Sequence, residues 1–536
     1  MTGWFRAAYR DKTAEDVHSQ RWLILLILCL CLTVTGIDNT ILNVAVPSIV
    51  RELGAKGSQL QWLIDAYTIV FAGLLLTMGT LGDKYGRKLA MSMGLIFFGG
   101  FSLLAALAQS SSELIAARAL MGLGGALIFP TTLSILTNTF NGAERAKAIG
   151  IWAGVSGVGI AIGPLLGGLL LEHFWWGSVF LINVPVCATA LIVGQFVLPN
   201  SRDPADHKLD IVGAMCSIIG LAGVLFAIIE APDRGWGSGD VLAGFVVGFG
   251  FLAAFIWWEL RTAHPMLELR FFRNPRFSAA SSTIMLVYFA LFGSTFLLTE
   301  YFQFVLGYSP LKSGAMTGAV AIGLIAAAPN APRLVNRIGT KLVVVLGLST
   351  LAAMLFCYTS NTLMSNTVTG WLVRMIYGAG LGLTVAPCTE SIMGSLPKER
   401  AGVGSAVNDT TRQVGGALGV AILGSILAAR YHSLVAGASG VPAAVKARAH
   451  DSIGKAIEAA KGTHAATARQ ITTLAKHSFL SGSRMAYTAA ALVVCCAVFV
   501  TAKWLPARAP SEDELEKIAD QPIALVEQGL AGVELQ

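Results

Sequence analysis

The sequence predicts an all-α integral membrane protein of fourteen spans, arranged as two six-helix bundles with two further helices inserted between them. Three observations lead there. Of the 536 residues, 54% are hydrophobic and only 13% are charged, against roughly 25% charged in soluble domains. Apolar runs of about 20 residues, long enough to cross a bilayer, recur along the whole chain. Segments of the first half also return in the second at a nearly constant spacing.

The spans follow in order. The first, 22–46, contains "WLILLILCLCL" (Trp22–Leu32) and continues through "TVTGIDNTILNVAVP" (Thr33–Pro47). It is too long for a cleaved leader, and no small-residue cleavage pattern follows it, so it is expected to remain as a helix. Apolar runs at 60–81, 89–109, 113–136, 146–171 and 177–198 complete a first bundle over 22–198. The runs 210–230 and 240–260 are the inserted pair, within a linker segment 199–276. A second bundle, 277–504, holds runs at 277–301, 313–332, 342–360, 367–393, 402–428 and 484–504. Its last two spans are separated by 430–482, a polar, Ala-rich segment expected to be partly helical outside the membrane. The flanks are 1–21 and a tail 505–536, where "PSEDELEKI" (Pro510–Ile518) reads as a short soluble helix or a disordered end.

Charge sets the orientation. The formal net charge is +7, but the basic residues gather in the first 21 positions, the even-numbered loops and the tail. The short loops on the other side hold only Arg51, Lys56, Arg234 and Lys312. By the positive-inside rule both termini are cytoplasmic, so the basic balance reports topology and no nucleic-acid partner is expected. The eight cysteines all fall inside predicted spans, where Cys is a small apolar residue. Neither a disulfide framework nor a metal-ligand spacing is visible.

The internal repeat fixes the architecture. "LGDKYGRKL" (Leu81–Leu89) aligns without gaps with "LVNRIGTKL" (Leu334–Leu342) at an offset of 253. "RALMGLGGALIFP" (Arg118–Pro130) aligns with "RMIYGAGLGLTVAP" (Arg374–Pro387) with one gap. Both pairs occupy equivalent loops and helices of the two bundles.

At these residues the chain resembles the major facilitator superfamily, and within it the fourteen-helix drug:proton antiporter family. "GTLGDKYGRK" (Gly79–Lys88) is similar to the superfamily's helix 2–3 loop, and "AARALMGLGGA" (Ala116–Ala126) to its helix 4 arginine signature. "GIAIGPLLGG" (Gly159–Gly168) resembles the antiporter signature of helix 5, and "IDNTILNVAVP" (Ile37–Pro47) that of helix 1. The likeness spans about residues 20–505. Two departures stand out. "WWGSVFLINVP" (Trp175–Pro185) lacks the family's usual arginine, and the tenth span has no acid, which argues against a strong preference for dicationic cargo.

The candidate residues follow from the energy source. No G-x-x-x-x-G-K-[ST] stretch is present to cradle nucleotide phosphates. "GVGIAIG" (Gly157–Gly163) imitates a dinucleotide fingerprint but has no strand before it. An ion gradient is left, with no cofactor expected. All eight histidines lie outside the spans or at their ends, so carboxylates are the expected proton carriers. Burial favours a neutral carboxyl and a neighbouring arginine favours the ionised form, so a rearrangement that moves an arginine loads or releases a proton. Asp38 on the first helix and Arg118 on the fourth fit these roles; the alternative is a structural Asp38 bonded to helix ends. Glu390, after Pro387 in "APCTESIMG", is the second proton or cationic-substrate candidate, unless it pairs with Lys398 or Arg400. Asp65 and Glu300, near the outer ends of helices 2 and 9, are further substrate-binding candidates, unless Glu300 simply reaches interfacial water, while Asp409 and Arg412 at i,i+3 read as a local pair.

Gly159, Gly163, Gly167 and Gly168 allow a neighbour to approach helix 5, and Pro164 bends it. The resemblance implies that this bend seals one side of the cavity, favouring exchange over symport. Asp83, Arg87 and Lys88, in a turn made possible by Gly82 and Gly86, read as a gating latch or, more simply, as a positive-inside anchor. Gln61, Trp62, Tyr67 and Phe129, with Tyr301, Phe302 and Tyr377, are candidates to line an apolar cavity.

The expectation is a proton-coupled exporter of amphipathic organic compounds or drugs in a bacterial plasma membrane, acting as a monomer by alternating access. Its partners are the cargo, protons and the bilayer. The rival readings are an exporter dedicated to an endogenous metabolite or lipid, and a membrane-embedded transferase. A transferase would need a nucleophile or acid–base cluster near one interface, which the sequence lacks.

Overall fold

In the computed structural model the described residues are 14–507, apart from 56, 141, 202–209, 263–264, 361–366, 396–400, 439–440 and 462. Lys398, Arg400 and the tail helix at 510–518 therefore lie outside the described residues, as do the surroundings of Gly159.

The long helices are α1 (Ala14–Leu53), α2 (Gly57–Tyr85), α3 (Arg87–Ala106), α4 (Ser111–Thr139), α5 (Gly142–His173) and α6 (Asn183–Val197). Then come α7 (Ile211–Arg234), α8 (Gly239–Glu259), α9 (Pro275–Glu300), α10 (Pro310–Ala327) and α11 (Thr340–Tyr358). The last are α12 (Thr367–Met393), α13 (Ala401–Gly437) and α14 (Ala465–Trp504). Among the described residues twelve helices are long and apolar enough to cross a membrane, or thirteen when α2, bent by 52° between Leu75 and Thr77, is taken as one span.

Several starts are set by local chemistry. Ser110 caps α4 by accepting from the Glu113 N–H, and the Glu113 carboxylate accepts from the Gln109 N–H, which satisfies two helix-end donors reciprocally. Asn274 before Pro275 and Ser309 before Pro310 cap α9 and α10, with proline where its missing N–H costs nothing.

The expected spans differ from the helices mainly at the ends. α1 begins well before 22, α13 continues past 428 and α14 begins far ahead of 484. Apolar composition marks how much of a helix suits lipid, but backbone hydrogen bonding continues into polar sequence. The 430–482 segment is built from the projecting ends of α13 and α14 and two short helices, Ala443–Ala449 and Ile453–Lys461. The second of these rests on the first and second halves together, Gly454 lying against Val50 and Phe304. α6 is preceded by a separate turn, Ser178–Leu181.

The two halves repeat one packing scheme. In the first, α1 packs on α4, α5 and α6, and α3 packs on α4 and α6, with α2 on α4. In the second, α9 packs on α12, α13 and α14, and α11 on α12 and α14, with α10 on α12. The same glycines permit the closest approaches: Gly122 lies on the Tyr67 carbonyl and Gly378 on that of Val320, while Gly94 and Gly347 each face the next helix in the same way. Turn geometry repeats as well. Gly86 and Gly339, the paired positions of the aligned loops, have φ of +116° and +86°, a region that L side chains resist.

α7 and α8 pack on each other, and α7 also lies against α2 and α13, touching both halves. The Trp62 indole donates to Glu230 at 3.3 Å, and the Ser425 hydroxyl donates to the Ile228 carbonyl at 2.6 Å.

Candidate functional site

The charged residues that sequence places in apolar surroundings meet at one point of the first half. Asp38 on α1 and Arg118 on α4 form an ion pair of 2.5 Å, and their side chains are 0% and 1% exposed. The other Asp38 oxygen accepts from the Asn183 amide at 3.0 Å, and that amide also donates to the Ser102 hydroxyl at 2.9 Å. Arg118 donates through Nε to the Leu63 carbonyl at 3.1 Å and lies 4.4 Å above the Tyr67 ring. One buried carboxylate is thus held by a guanidinium and an amide from α4 and α6, with α2 and α3 completing the shell. Such a pair is kept in a low-dielectric interior only because its hydrogen bonds are made.

Tyr67, expected on a cavity wall, is instead wholly buried. It stacks on Phe71 at 5.6 Å and supports Arg118 from below. Phe129, partly buried, leans edge-on against Phe71 and Trp152. Asn183, Ser102 and Leu63 were not among the sequence candidates. Asn183 had a sequence signal, an amide inside the apolar "VFLINVPV".

A small cavity lies between the halves beside this pair. Asn39 and Leu42 of α1, Ile64 and Thr68 of α2, and Arg118 form one wall; Phe292 of α9 with Gln413 and Gly416 of α13 form the other. Arg118 therefore touches the cavity on one side and Asp38 on the other. The Asp65 carboxylate, on the next α2 residue after Ile64, is 0% exposed, and neither oxygen has a hydrogen-bond partner among the described residues. Gln61, one turn earlier, packs under Gly424 of α13. Trp62 is turned away from the cavity toward Phe226 and Glu230 of α7.

α5 joins this site to the second half. Gly163 abuts Thr40 Oγ1 and the Ile37 carbonyl, flanking Asp38 in sequence, and Gly167 abuts Ile41. The opposite face meets α10: Gly168 lies on Pro310 and Leu311, and Gly314 lies on the Pro164 carbonyl. Near the same end of the molecule, Gln303 donates to the Val44 carbonyl at 2.9 Å. These contacts between the halves gather toward the end where α1 turns into α2.

The other candidates lie apart. Glu390 is exposed, within electrostatic reach of Arg276 on α9. Glu300 is 5% exposed at the end of α9, and Tyr301 opens the π-turn Tyr301–Val305 that follows it. Tyr377 is buried on α12, 5.6 Å from the Tyr358 ring. Asp409 and Arg412 are 3.8 Å apart, the local pair expected from their spacing.

Asp83 and Arg87 pair at 2.6 Å, while Lys88 donates to the Gln195 carbonyl at 2.6 Å and the Arg87 N–H to that of Ser201. These bonds tie the α2–α3 turn to the end of α6 and to the start of the linker that follows it. Among the described residues no group of three or more His, Cys, Asp or Glu side chains is arranged to hold a metal.

Comparison with known proteins identifies the family. The sequence pattern of the Major Facilitator Superfamily matches residues 28–420. The chain is 34% identical over 486 residues to the multidrug efflux pump LfrA of Mycolicibacterium smegmatis, covering 90% of this chain and 96% of that one. It is 32% identical to the methyl viologen resistance protein SmvA of Salmonella typhimurium, over 88% and 95% of the two chains. A tetracenomycin C resistance and export protein of Streptomyces glaucescens is 32% identical over 93% and 95%. In fold the chain is similar to a bacterial homolog of the human lysosomal transporter Spinster in its inward-facing, unoccupied conformation. That match has a TM-score of 0.64 and 17% identity, covering 92% of this chain and 99% of the other.

Proposed function

The chain belongs to the major facilitator superfamily, a family of transporters rather than enzymes, and from that premise we propose that it is a proton-coupled exporter of amphipathic organic compounds. In this reading it crosses a bacterial plasma membrane fourteen times with both termini in the cytoplasm. The observation that carries the proposal is the buried Asp38–Arg118 pair set against the cavity between the halves. The names of its relatives, an efflux pump and resistance proteins, support export of toxic organic compounds.

The proposed cycle uses this chain's own contacts. In the basic-side-in orientation the α1–α2 end faces outward, so the contacts of Gln303 with Val44, and of α5 with α10, close the outer side. A proton reaching Asp38 discharges it and loosens its hold on Arg118, which leaves the guanidinium free to shift against the cavity. Return of the ion pair expels the proton. Because Gly163 and Gly167 seat α5 on the α1 residues around Asp38, and Pro164 and Gly168 seat it on α10, movement at the pair is passed to the second bundle. A potential of 100 mV is worth about 2.3 kcal/mol per proton, enough for roughly a 50-fold gradient of a neutral solute.

The test is cargo uptake into everted membrane vesicles, with the pH difference and the voltage collapsed separately. Loss of accumulation of a cationic dye on collapse of the pH difference supports the reading. Undiminished accumulation with both collapsed refutes it. Replacing the dye by endogenous lipids or metabolites separates a general exporter from a dedicated one.

A further inference from the structure

We propose that the second half contains a buried binding site for a small monovalent anion, of the chloride type, centred on Arg374 with the hydroxyls of Tyr358 and Tyr487.

The internal repeat exposes the site. Arg374 on α12 is the partner position of Arg118, each the eighth residue of its helix and each almost fully buried. Arg118 is neutralised by Asp38. Arg374 has no such acid beside it among the described residues: α9, the counterpart of α1, carries one acid, Glu300, at its last residue, where it acts on Tyr487 and not on Arg374. Among the described residues the groups that act electrostatically on Arg374 are the tyrosines Tyr358, Tyr487, Tyr308 and Tyr301.

Its donors are also unused. Among the described residues Nε and Nη1 of Arg374 are buried without a hydrogen-bond partner, and Nη2 reaches only the Met316 sulfur at 3.7 Å. The hydroxyls of Tyr358 and Tyr487 are likewise buried without a partner among the described residues, and their rings meet at 5.5 Å. Phe302 covers one face of the guanidinium at 4.7 Å. A ring face attracts the cation but cannot accept the in-plane N–H groups, so it leaves Nε and Nη1 unsatisfied. Buried polar groups are normally paired, and a buried charge more so. Four buried N–H and O–H groups without a partner among the described residues, around a positive charge met only by a ring face and a sulfur, define a place for an anion. A guanidinium beside tyrosine hydroxyls suits a halide, and the carboxylate of a small aromatic acid presents the same charge.

The experiment is thermal unfolding of the purified full-length chain in detergent at constant ionic strength, with sodium gluconate replaced stepwise by chloride, bromide or benzoate. An anion bound only by the folded form raises Tm with concentration. The expected result is a saturable rise of about 2 °C or more in chloride and bromide that is absent in Arg374→Met. A rise with benzoate alone would assign the same site to an organic carboxylate. Tyr358→Phe and Tyr487→Phe each remove one donor and should raise the half-saturating concentration about five- to tenfold, which keeps the test decisive should Arg374→Met not fold. Equal Tm in all salts, or an undiminished anion effect in both tyrosine variants and Arg374→Met, would overturn the proposal. Neither outcome bears on proton coupling.

Discussion

Replacing Arg118 by Met probes the buried pair directly, because most of the unbranched apolar stem is kept while the cation is lost. Asp38 would be left at 0% exposure with only the Asn183 amide as a partner. Breaking a buried ion pair from one side costs about 3–5 kcal/mol. Loss of the hydrogen bond to the Leu63 carbonyl adds about 1 kcal/mol. The expected destabilisation is therefore about 4–6 kcal/mol. Asp38→Asn keeps the shape and strands the arginine instead, so it too is destabilising. The informative variant is the double, Asp38→Asn with Arg118→Met, in which no charge remains buried. Its loss should fall short of the sum of the single losses by about 2 kcal/mol or more. The assay is reversible unfolding in mixed micelles with increasing SDS, followed by tryptophan fluorescence. Additivity within about 0.5 kcal/mol would show that the two side chains do not stabilise one another, and the reasoning would fail.

Further consequences can be checked alongside. Asn183→Leu removes the donor shared by Asp38 and Ser102 and should cost about 1.5–3 kcal/mol in the same unfolding experiment; a change within 0.5 kcal/mol of zero would deny the amide its place in the network. Gly163→Val puts a branched side chain into Thr40 and the Ile37 carbonyl, so folded protein should still be recovered with cargo transport reduced at least about tenfold; unchanged transport would mean that α5 need not seat on α1. Gly86→Ala forces a Cβ into φ +116° and should cost about 1 kcal/mol or more, whereas a variant as stable as the parent would contradict the turn geometry. Trp62→Phe removes the indole bond to Glu230 and should loosen α7 from α2, read as faster hydrogen exchange at the Glu230 end of α7; unchanged exchange would make that bond incidental.

The parts legible in sequence were those where composition breaks a strong pattern. An acid and an arginine inside apolar runs stand out because charge is costly in a membrane, which is why Asp38 and Arg118 could be named as neighbours before their contact was known. The repeat was legible because turns demand particular residues: Gly86 and Gly339 fall on aligned positions and share the same backbone region. Uncharged polar residues were not legible in this way. Ser102 resembles ordinary helix filler until the bundle brings it to Asn183, and Asn183, an amide inside an apolar run, carries no charge that would tie it to Asp38 in advance. The cavity wall was also hidden, since Asn39, Phe292 and Gln413 converge from three helices of two halves. Tyr67 has the composition of a cavity residue, but its helical phase points it under Arg118. Helix ends escaped for a different reason, as α13 and α14 continue into polar sequence that hydropathy reads as loop.

The central claim is that discharge of Asp38 drives cargo outward. Purified protein reconstituted in liposomes, with an imposed pH difference and no nucleotide, tests it most directly when Asp38→Asn is compared with the parent and with Asp38→Glu. The account predicts uphill cargo movement in the parent, a reduced but measurable rate in Asp38→Glu, and only downhill exchange in Asp38→Asn. Uphill pumping by Asp38→Asn at the parent's rate would contradict it.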